Sequence, residues 1–477
     1  MERVRLGFAA VTRKTPAFPP QEQWANRTHK EALTVLKGMS EKWDFDLFAL
    51  DTTISEPDEV KKVAKEFREK GADVILLQTT SFASGELASE FASYLKSESV
   101  PLVLWGVPET AEGRCGRLSL TGQNFYASIF HARVIPYKWI FGKSNDKEHF
   151  QNQLCNTLLA VKVIKHLREV KVAIIGSAGV AGRYESSFDE TMLKDTFGIT
   201  VHRIDLSTIF KLMEKAPEKD LKAIVDDIGA RAEIHELSEE DLEKSAKIYW
   251  ALREIAREND YSAIALRCWP EFRELYGTNP CASVAMLNDD GIITSDEADV
   301  LGLTSMLASH YATEGEAVPT LLDLVGFNEE RNSVSLWHCG ASALRLKRSG
   351  SRPRACRHFE NPFGVIIDES LETGPVTLVR FIGARGQRML VVEGNVIDTP
   401  ADAPSGSWGE VQLSGDVHVK DLINTILTSG CPHHYSLART HHAEILKEVA
   451  YWLKIKEVRT IPYERGAGAF ASWNNEL

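Results

Sequence analysis

Across the first 145 residues short apolar runs alternate with longer amphipathic stretches, a pattern that constrains the fold strongly. Strands apolar on both faces must be covered by the segments between them, which means a parallel sheet flanked by helices. The predicted strands are Val4–Ala10, Phe45–Leu50, Ala72–Gln78 and Pro101–Val107, with helices over Gln21–Lys42, Glu56–Lys70 and Gly85–Leu95. In an open sheet of this kind the ligand crevice lies beyond the strand carboxyl ends, so Thr12–Thr15, Gln78–Phe82 and Trp105–Glu109 are expected to share a polar rim. The polar stretch Gly142–Glu148 marks a boundary. A second α/β unit follows, with a helix over Phe150–Arg168, strands over Val170–Gly176, Ile199–Leu206 and Tyr261–Cys268, and charged helices over Thr208–Ala230 and Ser238–Asn259. Beyond Pro319 the texture changes to short β runs punctuated by Gly and Pro, from Thr320–Phe327 and Ser333–Cys339 to Glu410–Leu413, closed by a helix over His441–Lys454. The expected architecture is α/β: two Rossmann-like parallel-sheet domains, 1–147 and 148–315, then a mainly β C-terminal domain, 316–477.

Charge and composition exclude several function classes. The chain carries 55 Lys and Arg against 67 Asp and Glu, a net charge of −12 that opposes binding to nucleic acid or an anionic membrane. No window approaches the roughly 18 uninterrupted apolar residues of a membrane span. Seven cysteines without a C-x-x-C pair or regular spacing suggest neither a zinc ribbon nor a disulfide framework, and fit a reducing cytoplasm. The start, MERVRLGFAAV, reads as charged residues followed by a strand rather than as a signal peptide.

Two groups of residues carry chemistry. The segment VKVAIIGSAGVAG places Gly176, Gly179 and Gly182 after a strand, with Asp205 further on. Its G-x-x-G-x-x-G spacing departs from the G-x-G-x-x-G that lets a backbone approach a pyrophosphate, so a substrate-facing loop is the better reading. The second group is a set of oxygen and nitrogen ligands that break their local patterns: Glu297 in SDEADVLG, Asp323 in TLLDLVGF, His338 in SLWHCG, and His433-His434 in GCPHHYS. Asp323 is a carboxylate in an apolar strand, where a bare charge is costly without a cation. The two imidazoles 433 and 434 are expected in a constrained loop. Carboxylate-plus-imidazole sets suit Mn²⁺, Fe²⁺, Co²⁺ or Zn²⁺, and oxygen-rich substrates tilt the choice to Mn²⁺.

The stretch from Arg267 to Gly340, RCWPEF…DEADVLGLTSML…LLDLVGFN…LWHCG, with the later CPHHYS, resembles the L-fucose isomerase and L-arabinose isomerase superfamily of metal-dependent aldose–ketose isomerases. The resemblance implies that Glu297 and Asp323 are metal ligands and also the general base and acid, with His434 and His338 completing the coordination of a divalent ion, Mn²⁺ foremost. A cis-enediolate stabilised by that ion would carry the proton between C2 and C1 of an open-chain sugar. His433 and Gln123 would hold substrate hydroxyls. In arabinose-type members the matching Gln is followed by a His, whereas here Gln123 is followed by Tyr126.

The same resemblance implies a homo-oligomer, a trimer or hexamer, with the substrate bound at a subunit interface. The substrate class spans pentoses, hexoses, deoxyhexoses and sulfonated hexoses such as sulfoquinovose. An anionic sugar needs a cationic subsite, for which Arg13, Lys14, Arg183 and Arg267 are the candidates. Two other readings remain: a sugar-binding or regulatory relative without turnover, and a nicotinamide-dependent oxidoreductase using the Gly176–Gly182 loop.

Overall fold

The computed structural model describes residues 3–13, 21–109, 118–180, 182–359, 364–383, 386–400 and 403–463. The chain divides into two compact units, Met1–Lys162 and Val163–Leu477.

In the first unit the apolar runs become a five-stranded parallel sheet in the order Phe45–Ala49, Val4–Val11, Val74–Thr79, Leu102–Gly106, Tyr137–Phe141. Leu76, Leu77, Val103 and Leu104 are fully buried because helices cover both faces, as a parallel sheet requires. The helices Gln21–Lys42, Pro57–Glu69 and Gly85–Glu98 lie where periodicity predicts them. A further helix, Ser119–Ala132, and the edge strand Tyr137–Phe141 are additions to the predicted set.

The second unit begins with a four-stranded parallel sheet, ordered Ile293–Ser295, Ala263–Leu266, Lys171–Ile175, Thr200–Ile204. The single helix predicted over Thr208–Ala230 is two, Leu206–Met213 and Glu218–Arg231. Pro217 separates them, since its missing N–H and its ring cannot continue a helix but suit the residue that starts one.

The β-rich segment of this unit closes on itself. Strands Arg388–Ile397, Gly374–Ile382, His434–Arg439, Thr320–Asn328, Ser333–His338 and Ser407–Leu413 pair antiparallel in that order, and the last pairs back to the first. The ring removes the exposed sheet edges of an open β layer. Leu322, Leu336, Leu378, Val411 and Leu437 belong to its apolar core. Helix Val300–Ala312 packs on strands Thr320–Asn328, Gly374–Ile382 and His434–Arg439, and so brings its own N-terminus against the barrel. Among the described residues no helix is long and apolar enough to cross a membrane.

Candidate active site

Asp323 lies in the Thr320–Asn328 strand, directly opposite His434 in the antiparallel register. Directly opposed residues place their side chains together, and Asp323 Oδ1 is 3.2 Å from His434 Nε2. His338, the last residue of the strand on the other side of Thr320–Asn328, turns its ring to the same place, with Nε2 3.4 Å from His434 Nε2. Gly340 makes the sharp turn that follows, at φ +83°, where a Cβ would stand 2.7 Å from the Ile367 carbonyl oxygen.

The acids of the run Ser-Asp-Glu-Ala-Asp arrive from the other side. Glu297 and Ala298 are both left-handed, φ 52° and 49°, a conformation that costs on the order of 1–3 kcal/mol per non-glycine residue and persists where the surroundings enforce it. Here Ala298 N–H donates to the Leu266 carbonyl at 2.8 Å, and the Ala298 carbonyl accepts from Gly179 N–H at 3.3 Å. The turn sends three carboxylates to three destinations. Asp296 Oδ2 is 3.1 Å from His338 Nδ1, Glu297 Oε2 is 3.9 Å from His434 Nε2, and Asp299 Oδ2 is 3.0 Å from His434 Nδ1.

Asp299 has a double task. It caps helix Val300–Ala312, accepting from Gly302 N–H at 2.8 Å, and it is paired by the two terminal guanidinium nitrogens of the fully buried Arg380, at 2.5 and 3.1 Å. Gly302 leaves room for that pair: a Cβ there would lie 2.7 Å from Asp299 Oδ2 and 2.8 Å from Arg380 Nη1. Burial opposes the charge on Asp299, but Arg380 and the His434 hydrogen bond outweigh it and hold the carboxyl well below the usual carboxylate range. An ionised Asp299 takes the His434 proton onto Nδ1 and points the Nε2 lone pair at Asp323, Glu297 and His338.

Lone pairs therefore converge from Glu297 Oε2, Asp323 Oδ1, His434 Nε2 and His338 Nε2. The Glu297 and Asp323 oxygens are buried without hydrogen-bond partners, as is His433 Nε2. Such a cluster calls for a cation. When that cation is only a proton, burial opposes it on His434 but Asp299 and Asp323 prevail, raising the imidazole to about 10. A divalent metal answers the same demand, and Asp323, His338 and His434 on one hand, and Glu297, His433 and His434 on the other, each bring ligand atoms within 4.8 Å of one another. His338 Nδ1 accepts from Cys339 N–H at 2.9 Å and also lies 3.1 Å from Asp296 Oδ2.

The two carboxylates are pushed apart. Burial raises Glu297, with the nearby imidazoles only partly offsetting it. For Asp323 the His338 and His434 imidazoles outweigh burial and hold it down to about 2.

Four residues predicted as ligands, Glu297, Asp323, His338 and His434, thus come together. His434 is not in a loop as expected: the Gly-Cys-Pro turn ends before it, and His434 opens a strand. His433, just outside that strand, has Nε2 3.5 Å from Asp323 and Nδ1 3.1 Å from Glu185, and burial lowers it to about 4. Arg267 is turned elsewhere. Its guanidinium grips Glu271 at 2.8 Å, Ser177 at 2.5 Å and the Gly179 carbonyl at 3.0 Å, which braces the 176–180 loop. That loop continues into a single 3₁₀ turn, Tyr184–Ser186, so no helix N-terminus stands at Gly182 to receive a pyrophosphate. Instead it brings Arg183 Nε to 3.3 Å from Glu297 Oε2.

Gln123 and Arg13 belong to the first unit. The Gln123 amide donates to the Leu104 and Ile140 carbonyls, at 3.0 and 2.8 Å, and Arg13 N–H donates to Ser81 Oγ at 3.0 Å. Lys14 lies outside the described residues. Asp296, Asp299 and Arg380 were not among the predicted site residues, although three acids within four positions and an arginine inside the apolar run VTLVRFI were visible signals.

A cleft of about 190 Å³ opens onto Glu297, Asp323 and His338. It is smaller than the roughly 300–1,000 Å³ of pockets for drug-sized ligands and is of a size for a monosaccharide. Trp269, Trp337 and Phe359 give it aromatic walls, and Arg183 and Arg273 set two guanidinium groups beside the carboxylates of Glu297 and Asp323.

No protein-family model matches the chain. It is 31% identical to a sulfoquinovose isomerase of Priestia aryabhattai over 386 residues, covering 80% of this chain and 84% of the relative. A sulfoquinovose isomerase of Alkalicoccus urumqiensis is 30% identical over 79% of this chain and 83% of its own length. One from Clostridium sp. (strain MSTE9) is 27% identical over 69% and 73%. Among solved structures, a glucose-galactose binding protein from Geobacillus stearothermophilus overlaps 66% of this chain and 92% of its own at 13% identity, with a TM-score of 0.18, too low to relate the folds.

Proposed function

Because the chain belongs to the sulfoquinovose isomerase family, we propose that it interconverts a sulfonated aldohexose, sulfoquinovose foremost, and the matching 2-ketose. The observation that carries this reading is the convergence of Glu297, Asp323, His338 and His434 at a cleft that also holds Arg183 and Arg273.

Aldose–ketose isomerisation moves one proton between C2 and C1 of an open-chain sugar and a second between the adjacent oxygens O2 and O1, which lie side by side and can pass it directly. Glu297 suits the first transfer. Burial raises its carboxyl above the ordinary range, and the oxygen not given to the cluster at His434 is the one that would take the C2 proton, hold it, and return it to C1. Asp323, held ionised, keeps a fixed negative charge beside it, and two carboxylates driven apart in this way divide the labour of proton carrier and charged anchor. His433 is neutral at working pH and can meet a sugar hydroxyl through Nε2. A divalent metal, Mn²⁺ by its taste for mixed carboxylate and imidazole donors, would be held by Glu297, Asp323, His338 and His434 and would supply Lewis-acid polarisation of the sugar carbonyl. Asp299 behind the His434 imidazole keeps its Nε2 atom available as a ligand. Arg183 and Arg273 provide the positive charge that a sulfonate requires, and guanidinium forks match its oxygens. The aromatic walls suit the apolar faces of the sugar.

The test is proton exchange. Chelator-stripped protein in D₂O, given sulfoquinovose, D-glucose, L-fucose or L-arabinose with and without Mn²⁺, should erase the C2 proton signal of sulfoquinovose only when the metal is present. A ketose should form with it, and D-glucose should exchange far more slowly. Equal rates for D-glucose and sulfoquinovose would remove the sulfonate from the reading. Absence of exchange with every sugar and every divalent ion would remove the isomerase.

A further inference from the structure

Cysteines that look scattered in the sequence are gathered in the fold. Cys281 opens helix Cys281–Asp289, and Cys339 follows the Ser333–His338 strand, yet their sulfurs are 3.5 Å apart. His358, just after the Arg354–Arg357 strand, completes a triangle in which all three ligand atoms lie within 4.8 Å of one another. Sulfurs sharing a tetrahedral zinc ion, with Zn–S bonds of about 2.3 Å, stand about 3.8 Å apart, whereas a disulfide requires about 2.05 Å. The observed spacing is that of two thiols in contact, too long for a disulfide and within a few tenths of an ångström of what a shared zinc ion needs. All three residues border the cleft that opens onto Glu297 and Asp323, so a fourth coordination position would face a ligand in that cleft.

We propose that Cys281, Cys339 and His358 form a second metal site, selective for a thiophilic divalent ion such as Zn²⁺ and chemically distinct from the carboxylate–imidazole set beside it. Softness keeps the two apart: thiolates select zinc-like ions, while carboxylate-rich donors accept Mn²⁺. Three protein ligands with one open position is the arrangement of a site that exchanges its fourth ligand rather than of a closed structural one. The proposal does not rest on the isomerase reading.

Cobalt tests it, because thiolate-to-cobalt charge transfer in the near ultraviolet reports only sulfur-bound ions. Reduced full-length protein titrated with Co²⁺ should develop that absorption, saturating at one sulfur-bound ion per chain, and equimolar Zn²⁺ should abolish it. Cys281→Ala should weaken the absorption in proportion to the lost bond. The milder His358→Gln, at a half-buried position, should keep the band but shift its titration to higher Co²⁺. Glu297→Gln should leave it unchanged, which separates this site from the neighbouring one. No such absorption in the wild-type protein, or a band and affinity indifferent to Cys281→Ala and His358→Gln, overturns the proposal.

Discussion

Glu297→Gln is expected to lower kcat roughly 10²–10⁴-fold, the usual contribution of a positioned acid–base group, without loss of fold. Gln keeps the size of the side chain but cannot carry a proton. Its effect on stability has a definite sign. Burial raises the Glu297 carboxyl, so in wild-type protein ionising it destabilises the folded state as pH rises from the ordinary glutamate value through the raised one. Gln removes that cost, and the ion pair it forgoes with the partly exposed Arg183 is worth at most about 1 kcal/mol. Metal-free Glu297→Gln should therefore melt at or above the wild-type temperature at neutral pH. Asp323→Asn should do the reverse. The Asp323 carboxyl is held down to about 2, so its charge contributes stability above the ordinary aspartate value that is lost as pH falls toward 2, on the order of 2 kcal/mol. Paired kcat and thermal-melting measurements on the two variants read both effects. Full kcat in Glu297→Gln would take the proton-carrying role from this residue.

The contrast between those acids was only half legible in the sequence. Asp323 stood out because a carboxylate in an apolar strand needs a partner, and His338 and His434 because they end or begin apolar runs. Their convergence was not legible, since it depends on the order in which strands close the barrel: Thr320–Asn328 lies between Ser333–His338 and His434–Arg439, strands separated in the chain by about a hundred residues. The parallel sheets were easier to read, because a strand buried on both faces leaves a continuous apolar run. The Ser119–Ala132 helix was hidden by its weak amphipathic pattern and by Gly122 in its first half. Arg267 reads in sequence as a free cation, because nothing in its own neighbourhood shows that Glu271, at the start of the short helix four residues on, occupies the guanidinium. Asp299 reads in sequence as an ordinary helix cap. Only the fold shows that the same carboxylate also orients His434, and that its counter-ion comes from a strand 81 residues away.

That counter-ion gives the second large effect. Arg380→Met is expected to cost about 3–5 kcal/mol, the range for breaking a buried ion pair by removing one partner. The side chains of Arg380 and Asp299 are 0% and 1% exposed, so no water replaces the guanidinium when it is removed. Without its counter-ion in so buried a place Asp299 is driven to take a proton, and the neutral carboxyl holds His434 Nδ1 less firmly. Losing an outer partner of a ligating imidazole commonly costs 10–100-fold in metal affinity. Urea denaturation should show a lower midpoint with the slope unchanged, and Mn²⁺ titration of the folded variant should show the weaker binding. Adding Asp299→Asn to Arg380→Met should restore much of the stability, because Asn still caps the helix without leaving a buried charge. It should not restore metal affinity, because a neutral amide cannot raise the basicity of His434 as the carboxylate does. A loss below about 1 kcal/mol in Arg380→Met, within the range of an exposed pair, would mean that Arg380 is not what keeps Asp299 ionised. The orientation of His434 would then have to rest on the cap and the barrel register alone.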